Sequence, residues 1–154
     1  MPSFEDFIVD AAEQRQIAGV TVPVVLTPPA PLASPTDAVA FVKENRAAID
    51  SALNDAGAVL FRGFPLSTPE DFDTFVQAWE GWNDLSYEKS MSFAVRNKMS
   101  NRICTTNEGK SGGLVFHHEQ AQTPLWPSYV FFCCLLPAQP GDGCATGSVG
   151  SDLV

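Results

Sequence analysis

Eight consecutive residues, Tyr129-Val130-Phe131-Phe132-Cys133-Cys134-Leu135-Leu136, carry no charge, and Pro137 and Pro140 stop the run. Side chains alternate along a strand, so a strand that is apolar at every position is apolar on both faces and belongs inside a fold. The chain is therefore expected to build a sheet with this strand buried within it. With 154 residues, 45% hydrophobic and 18% charged, it has material for one domain with a real core. No internal repeat, low-complexity tract or linker divides it, so residues 1–154 read as one unit. No apolar run approaches the ~20 residues of a membrane helix, so a membrane is not an expected partner. Nine basic against eighteen acidic residues give a net charge of −9, which repels a phosphate backbone, and no basic stripe offsets it. Nucleic acid is not an expected partner either. Met1-Pro2-Ser3-Phe4-Glu5-Asp6 has neither the basic start nor the apolar core of a secretory signal, so a cytoplasmic location is the expectation.

The rest of the chain reads as scaffold. Ser3 can cap a helix with Phe4, Phe7, Ile8, Ala11 and Ala12 at helical spacing, a docked or frayed terminal segment being equally allowed. From Val20 to Leu26 the chain reads as a strand, stopped by Thr27-Pro28-Pro29-Ala30-Pro31. From Thr36 to about Asp55 an alanine-rich amphipathic helix places Val39, Phe41, Val42, Ile49 and Leu53 near one face and stops at Gly57. Ala58-Val59-Leu60-Phe61 reads as a short apolar strand leading to Arg62, a surface or strand-end cation. Thr68-Pro69-Glu70-Asp71 starts another helix, with a capping hydroxyl, a first-turn proline and acids at the positive end of the dipole. Its stripe of Phe72, Phe75, Val76 and Trp79 is expected to pack on the sheet. From Gly81 to Asn101 the chain is polar and mixed, and Arg102-Ile103-Cys104-Thr105-Thr106 regains strand character. Asn107-Glu108-Gly109-Lys110-Ser111-Gly112-Gly113 then breaks it, as a connecting loop or part of a substrate entrance.

The only two histidines lie in Leu114-Val115-Phe116-His117-His118-Glu119. Read as a short strand, this places His117 and Glu119 on one face and Leu114, Phe116 and His118 on the other. An imidazole and a carboxylate two residues apart form two corners of a 2-His-1-carboxylate triad, the arrangement that leaves coordination positions open on non-haem Fe(II). His118 faces away and reads as a packing or hydrogen-bonded histidine. Without a metal, His117 and Glu119 would be an ordinary strand-end pair. Cys104, Cys133, Cys134 and Cys144 show no Cys-x-x-Cys spacing and read as buried free thiols, and a zinc site built from them with His117 and Glu119 matches no common structural zinc pattern. The glycine-rich stretch from Gly141 to Gly150 suits a turn where backbone approaches a ligand or another segment closely. A phosphate loop is not indicated, because no Gly-Lys-Ser/Thr follows.

Phe116-His117-His118-Glu119-Gln120-Ala121-Gln122-Thr123-Pro124, together with Pro127-Ser128-Tyr129-Val130-Phe131-Phe132-Cys133, Leu136-Pro137-Ala138 and Asp142-Gly143-Cys144-Ala145-Thr146, resembles the taurine dioxygenase (TauD/TfdA)-like and clavaminate synthase-like family. Cys144 stands where that family usually has the second glycine of a Gly-Gly-x-Thr turn. The resemblance implies an Fe(II)/2-oxoglutarate-dependent oxygenase that oxidises a small-molecule substrate with O2. It implies an α+β fold, a partial double-stranded β-helix (jelly roll, cupin-like) with flanking helices. It implies His117 and Glu119 as metal ligands and Thr146 as a residue holding the carboxylate of 2-oxoglutarate. In the family a distal histidine and an arginine complete the site later in the chain. Val154 is reached before either, so the expectation is an incomplete domain with its C-terminal strands missing and with little or no turnover. The alternative is a non-catalytic homologue that binds a partner or associates with itself through open sheet edges.

Overall fold

The computed structural model describes residues 2–85, 96–100, 102–105 and 118–137. Its elements in chain order are α1 (Phe4–Phe7), β1 (Arg15–Ile17), β2 (Val20–Val22), β3 (Val24–Leu26), α2 (Pro35–Ala56), β4 (Val59–Phe61) and α3 (Pro69–Val76).

α1 is a single turn rather than the longer helix that the apolar spacing suggests. The Asp6 carboxylate accepts from the Ser3 amide at 2.8 Å and the Ser3 hydroxyl at 3.0 Å, which closes the turn at its start. Beyond Phe7 the chain runs along β3 instead. The Val9 amide donates to Val25 O at 3.1 Å, the Thr27 amide donates to Phe7 O at 2.8 Å, and Ile8 bridges Leu26. Docking wins because it buries Phe7, whose ring stacks on Phe41 at 3.8 Å.

The stretch read as one strand from Val20 to Leu26 is two. β2 pairs antiparallel with β1, turning through Ala18 and Gly19, both at positive φ as a primed two-residue hairpin requires. At Pro23, which has no amide hydrogen to give a ladder, the chain changes partners, and β3 pairs parallel with β4. Parallel strands need a crossover, and α2 supplies it.

Both long helices begin and end where their local chemistry dictates. For α2, Ser34 Oγ accepts from the Asp37 amide at 3.3 Å, and at the other end Gly57 takes φ 72° with its amide on Leu53 O at 2.7 Å. The helix kinks at Asn45, whose side chain donates to Phe41 O at 2.9 Å in place of regular backbone geometry. For α3, Thr68 Oγ1 accepts from the Asp71 amide at 3.1 Å while Asp71 accepts from the Thr68 and Ser67 amides, each at 3.0 Å.

The core lies between α2, α3 and the β3–β4 pair. Phe7, Leu26, Phe41, Val42, Ile49, Phe72, Phe75 and Trp79 are buried there, with Phe61 and Phe64 packed edge-on among them. Arg62, at the end of β4, is half exposed and pairs with Glu13. Among the described residues, helices sit with two short two-stranded sheets and no closed barrel is formed. No helix among them is long and apolar enough to cross a membrane.

Residues 129–136 depart from the sequence reading. They are neither a paired strand nor buried. Among the described residues no backbone group from 126 to 137 makes a hydrogen bond, and Val130 (47%), Phe132 (76%) and Leu136 (89%) are exposed. Composition supplies strand propensity, but a strand exists only against a partner, and no described strand lies alongside. Of the strand expected from Arg102 to Thr106, the described residues show one antiparallel bridge between Lys98 and Cys104, and Thr106 lies outside them.

Candidate functional site

The predicted ligands divide between described and undescribed residues. Glu119 is described. His117, Thr146, the loop from Asn107 to Gly113 and the glycine-rich stretch from Gly141 lie outside the described residues.

Glu119 sits in a turn rather than on a strand. Its Oε1 receives the Arg96 guanidinium at 3.2 Å, and both side chains are about four-fifths buried. The turn is tight. The Ala121 amide donates to His118 O at 3.3 Å, and both the amide and the hydroxyl of Thr123 reach Gln120 O at 3.0 Å. Gln120 takes φ 58° while being 95% buried. A side chain with a Cβ pays on the order of 1–2 kcal/mol for left-handed backbone, so the surrounding contacts hold this turn against its own preference. His118 is exposed and does not pack in the core. Of the two readings for it, packing or hydrogen-bonded, the exposure in the turn at 118–121 corrects the packing one.

Beside this turn opens a cavity of about 1010 Å³ whose wall includes Trp79, Trp82, Tyr129, Phe131, Arg96, Arg102 and Gln120. Glu119 is not itself on that wall; its partner Arg96 and its neighbour Gln120 are. The aromatic side is ordered by stacking. Tyr129 lies on Trp82 at 4.1 Å and 15°, Arg46 covers Trp82 at 4.7 Å, and Phe131 meets Trp79 edge-on at 5.0 Å. The Trp79 indole nitrogen is buried without a hydrogen-bond partner among the described residues.

The polar side is held by a residue that sequence reasoning passed over. Asp73, on the buried face of α3, accepts from Ser100 Oγ at 2.8 Å and pairs with Arg102 at 3.3 Å. This ties residues 96–105 to the helix and so positions Arg96 beside Glu119. Within that segment the Met99 amide donates to Ile103 O at 2.8 Å and the Thr105 amide to Asn97 O at 2.9 Å. An acid inside the Phe72–Phe75 apolar stripe was the available signal for Asp73. Arg96 offered none, because its partner lies 23 residues away in the chain.

Of the thiols, Cys133 and Cys104 are half-buried and free, whereas Cys134 is exposed, which corrects the buried reading for that residue. Burial, and then the adjacent Cys134, push the Cys133 thiol above its ordinary pKa, so it is a poor nucleophile. Among the described residues no three His, Cys, Asp or Glu side chains gather at metal-binding distance. The carboxylate of Glu119 does fit a divalent cation such as Fe(II), and ligating carboxylates are oriented by hydrogen-bonding outer partners, a part that the Arg96 guanidinium fits.

Comparison with known proteins agrees with the resemblance. Over 136 residues, 84% of this chain, it is 33% identical to a clavaminate synthase-like protein of Arabidopsis thaliana, and it spans 40% of that relative's length. Residues 26–148, from β3 through His117, Glu119 and Thr146, match the model of the taurine catabolism dioxygenase TauD, TfdA family. A match over that much of the sequence makes this chain a member of the TauD, TfdA family.

Proposed function

We propose that this chain carries the first part of an Fe(II)/2-oxoglutarate-dependent oxygenase site within a cupin-like, double-stranded β-helix fold. The observation behind it is that the family match, residues 26–148, includes His117, Glu119 and Thr146. In this reading His117 and Glu119 hold the metal and Thr146 hydrogen-bonds the distal carboxylate of 2-oxoglutarate. A metal bound there supplies oxygen activation coupled to decarboxylation of 2-oxoglutarate to succinate and CO2, with oxidation of a small-molecule substrate. The protein's part is geometry. Arg96 orients the Glu119 carboxylate, and the strained turn at Gln120 fixes where that carboxylate starts.

Anaerobic titration with Co(II) as a spectroscopic stand-in tests the ligand set. His117→Ala and Glu119→Ala should each weaken binding by about tenfold or more, and His118→Ala should leave it unchanged. Equal effects of His117→Ala and His118→Ala, or tight stoichiometric binding that survives Glu119→Ala, would refute the assignment. Succinate formation coupled to 2-oxoglutarate loss, abolished by His117→Ala, is the corresponding test of turnover.

A second reading, a non-catalytic chain that associates with itself, is favoured by one observation. Leu125, Trp126, Tyr129, Val130, Phe132, Leu135 and Leu136 are all exposed within twelve residues, a concentration of apolar surface that soluble monomers rarely leave uncovered.

A further inference from the structure

Among the described residues two polar side chains are buried, Asp73 and Gln120. Asp73 is satisfied by Ser100 and Arg102. Gln120 differs. Its backbone carbonyl accepts from Thr123, but its side-chain carboxamide makes no hydrogen bond among the described residues. Burying a carboxamide without a partner is unfavourable, so the group calls for one. The backbone at the same residue is strained as well. Glycine takes φ 58° freely, and a glutamine held there keeps a side chain where the turn alone would be better served without one.

Gln120 stands on the wall of the 1010 Å³ cavity, one residue after Glu119. The charged groups of that wall are already engaged. Among the described residues its cations are Lys43, Arg96 and Arg102, and they hold Glu80, Glu119, and Asp73 with Asp84. Trp79, Tyr129 and Phe131 give the same wall an apolar surface.

We propose that Gln120 is a substrate-recognition residue, its carboxamide hydrogen-bonding an uncharged polar group of a small molecule whose apolar body packs against Trp79, Tyr129 and Phe131. That polar group is an amide, a carbonyl or a hydroxyl. A carboxamide offers two donors and two acceptor lone pairs and carries no charge, so it reads a neutral group. An anion would have to draw a cation away from the carboxylate it holds, in a chain whose net charge is −9. Calling the bound molecule a substrate rests on the metal reading above, because one turn carries both Glu119 and Gln120. Its binding to the cavity does not need the metal.

The test is to titrate the metal-free chain with benzamide, benzoate and toluene, read by ligand-observed NMR. These probes share one body and differ in carrying a neutral, an anionic or no polar group. Benzamide should bind saturably and about fivefold or more tighter than either of the others. Gln120→Met keeps the length and removes the carboxamide, so it should erase that preference and leave toluene unchanged. Gln120→Asn keeps a carboxamide on a residue that tolerates left-handed backbone, and should retain part of the preference. The urea midpoint of Gln120→Met should not fall, since the lost group has no partner to leave behind. A lowered midpoint would mark a purely structural carboxamide and overturn the assignment. So would absence of saturable benzamide binding, benzoate binding as tightly as benzamide, or a preference that survives Gln120→Met. Co(II) titration separates the two readings. Should Co(II) binding not depend on His117 and Glu119 while the benzamide preference holds, the metal reading falls and Gln120 stands as a ligand-recognition residue.

Discussion

Replacing Asp73 by alanine isolates the contact that fastens residues 96–105 to the helical layer. In the native structure the buried carboxylate takes the Ser100 hydroxyl at 2.8 Å and the Arg102 guanidinium at 3.3 Å. A hydrogen bond to a charged group contributes about 1.5–3 kcal/mol. The ion pair adds less than a fully buried one, because Arg102 is 30% exposed and keeps Asp84 as a second anion at 3.0 Å; a value of about 0.5 kcal/mol is appropriate. Alanine returns about 0.5 kcal/mol through its higher helix propensity at an interior position of α3. The net loss is therefore about 2 kcal/mol, or about 4–8 °C in Tm for a chain of this size. Urea unfolding should show a lower midpoint with an unchanged slope, since the buried surface is nearly the same. A double-mutant cycle with Ser100→Ala should give a coupling of at least about 1 kcal/mol. A loss below about 0.5 kcal/mol, or additive behaviour of the two substitutions, would show that Asp73 does not hold this segment, and with it would fall the account of how Arg96 reaches Glu119.

Two further predictions concern the scaffold. Phe41→Ala removes a buried ring stacked at 3.8 Å on Phe7 and should cost about 3–5 kcal/mol by urea unfolding, with Phe41→Leu costing less. Asp71 is held below the ordinary aspartate range, first by the Ser67 amide and next by the Thr68 hydroxyl. A carboxyl with a depressed folded pKa gives its full stabilisation above the unfolded value near 3.9 and loses it as pH falls below that value through the folded one. Asp71→Asn should therefore flatten the acid limb of stability below about pH 4; an unchanged acid limb would refute the capping role.

Much of the helical scaffold was legible in the sequence, and so was the family. The helix read from Thr36 to about Asp55 is α2, Pro35–Ala56, stopped at Gly57 as read, and Thr68 with Asp71 opens α3 as read, because a cap is satisfied within three or four residues of itself. The His-x-Glu pair and the glycine-rich turn were legible as a family pattern, and the family match covers them. Arg96 and Asp73 were not, because each acts on a partner more than twenty residues distant, and no local pattern encodes such a pairing.

The sequence by itself determined where α2 runs and where α3 starts, the uncharged apolar run at 129–136 and membership of the TauD, TfdA family. Only the tertiary structure decided that the chain from Phe7 to Val9 docks along β3 instead of extending α1, and that Pro23 divides one apolar stretch between two sheets. It also decided that Glu119 faces a guanidinium beside a strained turn, and that the most strand-like segment has no strand partner among the described residues. The physical reason is common to all four. Helix hydrogen bonds close within the segment that forms them, whereas a strand's amides and a buried carboxylate are satisfied only by whatever the rest of the fold brings alongside.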